Sequence, residues 1–402
     1  MKKRRTKKRP ANEPQVEFSS PRGLWHDSEI RTVCIGCPQC PEFSVCGGLH
    51  TAIRLFDCTS LCTCADKSLC DNVCRLNATR FVERYREVGG FEFDNIPRAD
   101  VITVGELPDV IPAVYHRSSR ERRLRAPAVA LPFRTLLGLR AEQLTTLSRE
   151  YLAERFMIDP RSKIIISGVA KDRPLEAWWK YPHREKILES MKALDIDLIT
   201  VPNFSLLTDV PRWDNLHAMK RIAITWAEFA TAGLPTALHV NARTDRDYER
   251  WTAFIRAREE VTCLAFEFGT AAGWPGRIEW HVAHLCELAR SIGRPMSIAV
   301  RGGVGQLRTL REVFERVIFI DTDSFTRTIR RRKADLTDIG RIRWRSAPTS
   351  AGAPLDDLFA GNIEAMAAWV RSGGPVERPR RPAPAAGGTQ DGDDETGQSR
   401  LL

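Results

Sequence analysis

The chain has 402 residues, 43 % of them hydrophobic, and a formal charge of +10. That length suits one large α/β domain plus an accessory module, and the apolar share is ordinary for a globular protein. No run of about 18 apolar residues occurs, which excludes a membrane-spanning helix. The basic start lacks the apolar stretch of a secretory signal, so the expected location is the cytoplasm, the host's if the chain is phage-encoded.

Residues 1–20 open with MKKRRTKKRP, in which seven of ten positions are Lys or Arg. This segment reads as a disordered basic tail, because it has too little apolar surface to offset ordering entropy. Further basic groups follow at HRSSRERRLR (116–125), RTIRRRK (327–333) and RIRWR (341–345). Clusters of this kind favour a polyanion through phosphate neutralisation, which points to DNA or RNA as the partner.

Residues 21–98 form a cysteine-rich module. Nine of the eleven cysteines fall here: Cys34, Cys37, Cys40 and Cys46, then Cys58, Cys62, Cys64, Cys70 and Cys74. Cys-x2-Cys steps bring two thiolates to one side of a tight turn, where they converge on a metal. Without a secretory signal a disulfide framework is disfavoured. The expected cofactor is Zn2+ or a 4Fe-4S cluster, since the first group resembles the opening of bacterial ferredoxin motifs while Zn2+ accepts four thiolates equally well. The nine cysteines and His50 could fill two four-ligand sites. Cys263 and Cys286, and the helical pair His281 and His284, read as structural.

Residues 99–345 alternate short apolar runs with helix-like segments. The runs lie at 127–133, 163–169, 197–203, 236–242, 262–269, 296–303 and 317–321, and DVITVG (100–105) is a candidate eighth strand. They are continuous rather than alternating, as strands covered on both faces are. Eight strand–helix units close a (β/α)8 TIM-like barrel, with an open doubly wound sheet as the alternative. Neither G-x-G-x-x-G after a strand nor a P-loop occurs. Residues 346–402 form a C-terminal extension expected to be disordered from about 373.

In such a barrel chemistry sits at the C-terminal strand ends. The residues expected there are Ser167, Gly168, Asn203, Asn241, Arg243, Glu267, Gly269, Arg301, Gly302, Gly303, Asp321 and Asp323. The glycines would let a flat ligand approach the backbone. Glu267, between two phenylalanines, requires a partner. Asp321 is either a helix cap or a chemical group.

These strand ends resemble the tRNA-guanine transglycosylase superfamily, especially the divergent bacterial and phage members that place 7-deazaguanine bases in DNA. IDTDSF is similar to the F-D-S-x-S-[YF/W] segment of the archaeal-type branch, with Asp321 at the nucleophile position. SIAVRGGVGQLRTLREVFERV upstream is similar to the family's strand, glycine pair and helix. IIISG resembles D-S-G-[GA]-F and keeps Ser167 and Gly168, but Ile166 stands where the family has an aspartate, and Asp172 is the conceivable substitute. Asn241 falls near the family's amide-bearing base reader, Asn203 near its base-recognising aspartate, and FEFG near a backbone segment that contacts the base. The resemblance implies a barrel that exchanges guanine for a deazapurine through a covalent aspartate. The family's C-terminal zinc site is absent. Locally, VPNFSLLTDVPRWDNL is similar to the P-D-F-S-L-Y-x-D-M-P signature of an uncharacterised bacterial and phage family, which implies no activity. A non-catalytic metal-cluster nucleic-acid binder and a hydrolytic barrel (nuclease or glycosylase) are the alternatives.

Overall fold

The computed structural model describes residues 84, 87–136, 148–206, 212–273, 276–337 and 341–373. The basic tail, the nine cysteines of the N-terminal module, His50 and the chain after 373 lie outside them.

Eight parallel strands form one sheet: β1 (Val110–Pro112), β2 (Ala128–Pro132), β3 (Lys163–Ser167), β4 (Leu198–Thr200), β5 (Thr236–His239), β6 (Cys263–Glu267), β7 (Ser297–Arg301) and β8 (Arg316–Asp321). The sheet curls back on itself. β1 pairs with β8, and beyond β1 a parallel bridge joins Ala113 to Ala130 of β2, with the Val114 amide donating to the Ala130 carbonyl at 2.8 Å. The result is a nearly closed TIM-like barrel.

The helices between the strands are α1 (Arg149–Phe156), α2 (Asp172–Lys180), α3 (Arg184–Lys192), α4 (Arg212–Thr231), α5 (Asp245–Arg256), α6 (Arg277–Ile292), α7 (Leu307–Arg311) and α8 (Asp323–Ile329). Their starts are written locally. Ser148 accepts from the Tyr151 amide to cap α1, and Thr244 with Asp247 forms a capping box on α5, satisfying amides that have no partner within the helix. After α8 come an antiparallel hairpin, β9 (Arg332–Leu336) and β10 (Ile342–Ser346), and a last helix, α9 (Asp356–Arg371). The β1–β2 connection contains no helix. Instead α9 packs on β1, and its Asp356 accepts from the Glu121 and Arg122 amides at 3.0 and 3.1 Å.

Two apolar layers follow from the two faces of each strand. Val129, Ile164, Ile199, Leu264, Ile298, Val317 and Phe319 face the helices. Ala113, Ala130, Ile165, Leu198, Ala237, Ala265, Ala299, Ile318 and Ile320 fill the barrel interior.

The eighth strand is Val110–Pro112, not 100–105. Residues 100–105 make no strand ladder, and side chains at the lower strand ends take two of their carbonyls. Thr262 Oγ1 donates to Ile102 at 3.1 Å and Arg316 Nη1 to Gly105 at 2.7 Å. Val104 is buried in the inner cluster and plugs the N-terminal end of the barrel. The preceding segment is strapped to the outer face by cations. Lys220 donates to the Glu92 carbonyl, Arg250 to that of Phe91, and Arg258 to those of Ile96 and Pro97.

Candidate active site at the barrel mouth

One step beyond the inner apolar layer, strand alternation places a polar rung: Ser167 two residues after Ile165, Thr200 after Leu198, His239 after Ala237, Glu267 after Ala265 and Arg301 after Ala299. The small inner alanines leave space for these larger side chains. Ser167, Thr200, His239 and Glu267 are all buried.

Glu267 has its required partner. Arg301 Nη1 donates to Glu267 Oε2 at 3.1 Å, and the Gly269 amide donates to Oε1 at 2.6 Å. The other guanidinium nitrogen, Nη2, reaches Tyr115 Oη, just beyond β1, at 3.3 Å. Burial pushes the Glu267 carboxyl above its ordinary range, and Arg301 and the Gly269 amide oppose that. Burial also raises the Tyr115 hydroxyl. Arg301 and Tyr115, with Ser167 and Ile320, border a cavity of about 10 Å³, room for at most one water.

His239 is fully enclosed and its Nε2 has no hydrogen-bond partner. Burial, with the nearby Arg301 charge, depresses its pKa to about 3, so the imidazole is neutral.

Asp321 is handled differently. It lies on the alternation of Val317 and Phe319, the face turned to the helices, while Ile320 takes the inner position. Its Oδ1 accepts from the Asp323 and Ser324 amides at 2.9 and 3.1 Å and so holds the start of α8. Its Oδ2 is buried with no partner. Burial raises the pKa to about 6 against the opposing contacts of Ser324, and the Asp323 charge adds to the rise. The side chain is therefore both a helix cap and a carboxylate with one unspent oxygen.

The remaining expected residues spread over the same C-terminal face. Asn203 and Asn241 lie in the loops beyond β4 and β5 and meet there, Asn241 Nδ2 donating to Asn203 Oδ1 at 3.1 Å. Asp172 opens α2, is exposed, and accepts from Ser205 Oγ at 2.6 Å. Arg243 donates to the Leu206 carbonyl. Asp323 is exposed and pairs with Arg327 at 3.5 Å.

The glycines serve packing of the loops. A Cβ on Gly168 would overlap the Thr200 and Val201 carbonyl oxygens, and one on Gly269 would overlap Glu267 Oε1. Gly302 and Gly303 have φ of +73° and +65°, and a Cβ on Gly302 would lie 2.7 Å from the Gly269 amide. At Gly168 and Gly302 the close neighbour is backbone, and at Gly269 and Gly303 it is the side chain of Glu267 or Phe268.

Thr200, His239 and Tyr115 were missed from sequence. The signal was present in TALHVNA, where a histidine follows an inward alanine by two. His281 and His284 are structural: Tyr248 Oη meets His281 Nδ1 at 2.8 Å, and His284 Nε2 pairs with Asp245 at 3.1 Å. Cys263 and Cys286 are buried free thiols, and burial lifts Cys263 to about 12. Among the described residues no His, Cys, Asp and Glu group is arranged to hold a metal, and none of the helices is long and apolar enough to cross a membrane.

The fold and site together define an α/β barrel with a polar, ionisable C-terminal mouth. No family model matches the chain, and no curated protein matches it either.

Proposed function

We propose that the chain exchanges guanine for a 7-deazaguanine base in DNA, through a covalent bond between the sugar and Asp321. The observation that carries this reading is the unpartnered Oδ2 of Asp321 at the end of β8. A buried carboxylate oxygen without a donor costs about 1 to 3 kcal/mol or more, a cost typical of a functional group rather than of a cap alone.

In the proposed reaction Asp321 Oδ2 attacks C1′ of a deoxyguanosine unit, and the glycosidic bond breaks with its electron pair leaving on guanine. Guanine takes a proton as it departs. Asp172 is the group assigned to that transfer, because residue 166 is a buried isoleucine. A nitrogen of the deazapurine then attacks the same carbon, loses its proton, and releases the Asp321 carboxylate. Asn203 and Asn241 meet as an amide pair suited to a base edge, and Ser167 and Arg301 border the small cavity of the mouth. Entry of a base requires Tyr115 and Arg301 to part and the Asp321 side chain to turn from the helix-facing side toward them, since the present cavity is only about 10 Å³ and Asp321 does not line it. The target nucleotide must also leave its stack, at about a few kcal/mol. In this reading the cysteines at 34–74 hold Zn2+ or a 4Fe-4S cluster in a structural capacity.

A second reading has its own support. Asp321 is only 1 % exposed and its Oδ1 is committed to α8, which favours a non-catalytic nucleic-acid binder. Labelled guanine offered with DNA and with RNA separates the two. Incorporation supports exchange, and incorporation into RNA alone corrects the substrate. Base loss without incorporation supports hydrolysis, and neither outcome leaves the binder.

A further inference from the structure

The β9–β10 hairpin is a braced cationic ribbon whose construction goes beyond what the reaction needs. It is fixed from behind by α9. Asn362, fully buried, accepts from the Ala334 amide at 2.7 Å and donates to the Arg332 carbonyl at 2.9 Å and Thr328 Oγ1 at 2.8 Å. Ala334 and Trp344, register partners on the same face, sit against this support, and the Arg327 guanidinium lies 5.6 Å from the Trp344 ring centre.

The opposite face is outward and carries three cations to one carboxylate, with Arg343 opposite Asp335 in the register. It carries Lys333, Arg343 and Arg345, all exposed, and Asp335. Lys333 lies directly opposite Arg345 in the register, an arrangement that destabilises a strand pair. Asp335 is held by Arg345 Nε at 2.7 Å, while Lys333 and Arg343 pair with no carboxylate among the described residues. Like charges set face to face on a ribbon braced from behind are relieved by a polyanion. A two-stranded ribbon is also narrow enough to enter the major groove of a duplex. Its first residue follows Asp321 by the seven-residue helix α8, about 10 Å of rise.

We infer that the outward face of the β9–β10 ribbon is a docking surface for duplex DNA, with Lys333, Arg343 and Arg345 on the phosphates. This rests on the proposed function only for its choice of nucleic acid, and it concerns binding, not exchange.

The test is the salt dependence of binding of the full chain to a fluorescent 20-base-pair duplex. Neutralising three phosphate contacts should lower the slope of log K against log salt by about 2.7, at about 0.9 per contact. The triple change Lys333→Ser, Arg343→Ser and Arg345→Ser is expected to show that loss. An equal change on another face, Lys180→Ser, Lys186→Ser and Lys192→Ser, should leave the slope unaltered. Charge reversal of Arg343 to Glu should weaken duplex binding further. An unchanged slope in the ribbon variant, or equal losses in both triple variants, would overturn the proposal. So would a loss confined to single strands or to anionic vesicles. If the ribbon result holds while labelled guanine is not exchanged, the docking surface stands and the transglycosylase reading falls.

Discussion

Arg301 and Glu267 are register partners at the ends of β7 and β6, and a 3.1 Å contact joins them at the mouth. The carboxylate is almost wholly buried, with a 4 % exposed side chain, whereas the guanidinium keeps 24 %. The pair therefore sits at the boundary between the barrel interior and solvent. Removing the arginine strands an ionised group in a dry site. Arg301→Met is expected to cost about 3 kcal/mol. The double change with Glu267→Gln should recover part of that loss, because the charge left behind is gone. Urea denaturation of the single and double variants measures this, and a neutral Arg301→Met would show that the pair contributes nothing.

Gly168 is fixed by space. A methyl group there would meet two carbonyl oxygens of the adjoining β4 end, which cannot move without breaking that strand's ladder. Gly168→Ala should destabilise the fold by about 1 to 3 kcal/mol, read as a lower denaturation midpoint. A variant of unchanged midpoint would mean the β3 and β4 ends separate easily.

Burial in the closed interior, with the nearby Arg301 charge, holds the His239 pKa at about 3. The unfolded imidazole titrates near 6.5, so the native state binds fewer protons and loses stability as pH falls below that value. At pH 5 the loss from this residue is about 2 kcal/mol. His239→Leu should remove it, so the stability difference between pH 8 and pH 5 shrinks by about that amount relative to the unaltered chain. Equal pH dependence of the two proteins would sink this account.

How far the sequence disclosed these features depended on periodicity. Continuous apolar runs with strand–helix alternation were enough for seven of the strands, because burial on both faces leaves a strong local signal. Val110–Pro112 was not visible: three residues carry too little pattern, and their place is fixed by pairing with β8. The hairpin was obscured by its arginines, and α9, with its apolar stripe of Phe359, Met366 and Trp369, lies in the segment that reads only as a C-terminal extension. Glu267 and Arg301 were legible as polar ends of apolar strands. Thr200 and His239 were not, since the strands stop two or three residues earlier than the apolar runs do. The direction of Asp321 follows from the register of β8 alone, which a sequence of five consecutive apolar or acidic residues does not specify.

The cysteine module yields a prediction from spacing. Anaerobically purified protein should carry bound metal, and Cys34→Ser together with Cys37→Ser should remove it. Elemental analysis with an absorption spectrum reads both the amount and the kind, since an iron–sulfur cluster absorbs visible light and Zn2+ does not. A protein free of metal in every preparation would leave the thiols without their assigned task.

Asp321 links stability to the proposed chemistry with opposite signs. Its folded pKa is raised from 3.8 to about 6, so the protonated form suits the native state. Its contribution is fully present below about pH 3.8 and is lost as pH rises through about 6, a change of about 3 kcal/mol. Asp321→Asn keeps an oxygen to cap α8 and carries no charge. It should therefore gain on the unaltered chain by about 3 kcal/mol between pH 3 and pH 8, measured by denaturation at each pH. Attack on C1′ needs the ionised form, so exchange should rise with pH through about 6 and level off, and the asparagine variant should lose exchange by several orders of magnitude. A variant both more stable at pH 8 and inactive fits a carboxylate kept at a cost to the fold for its chemistry. Stability gained with exchange intact would leave Asp321 as a cap and nothing more.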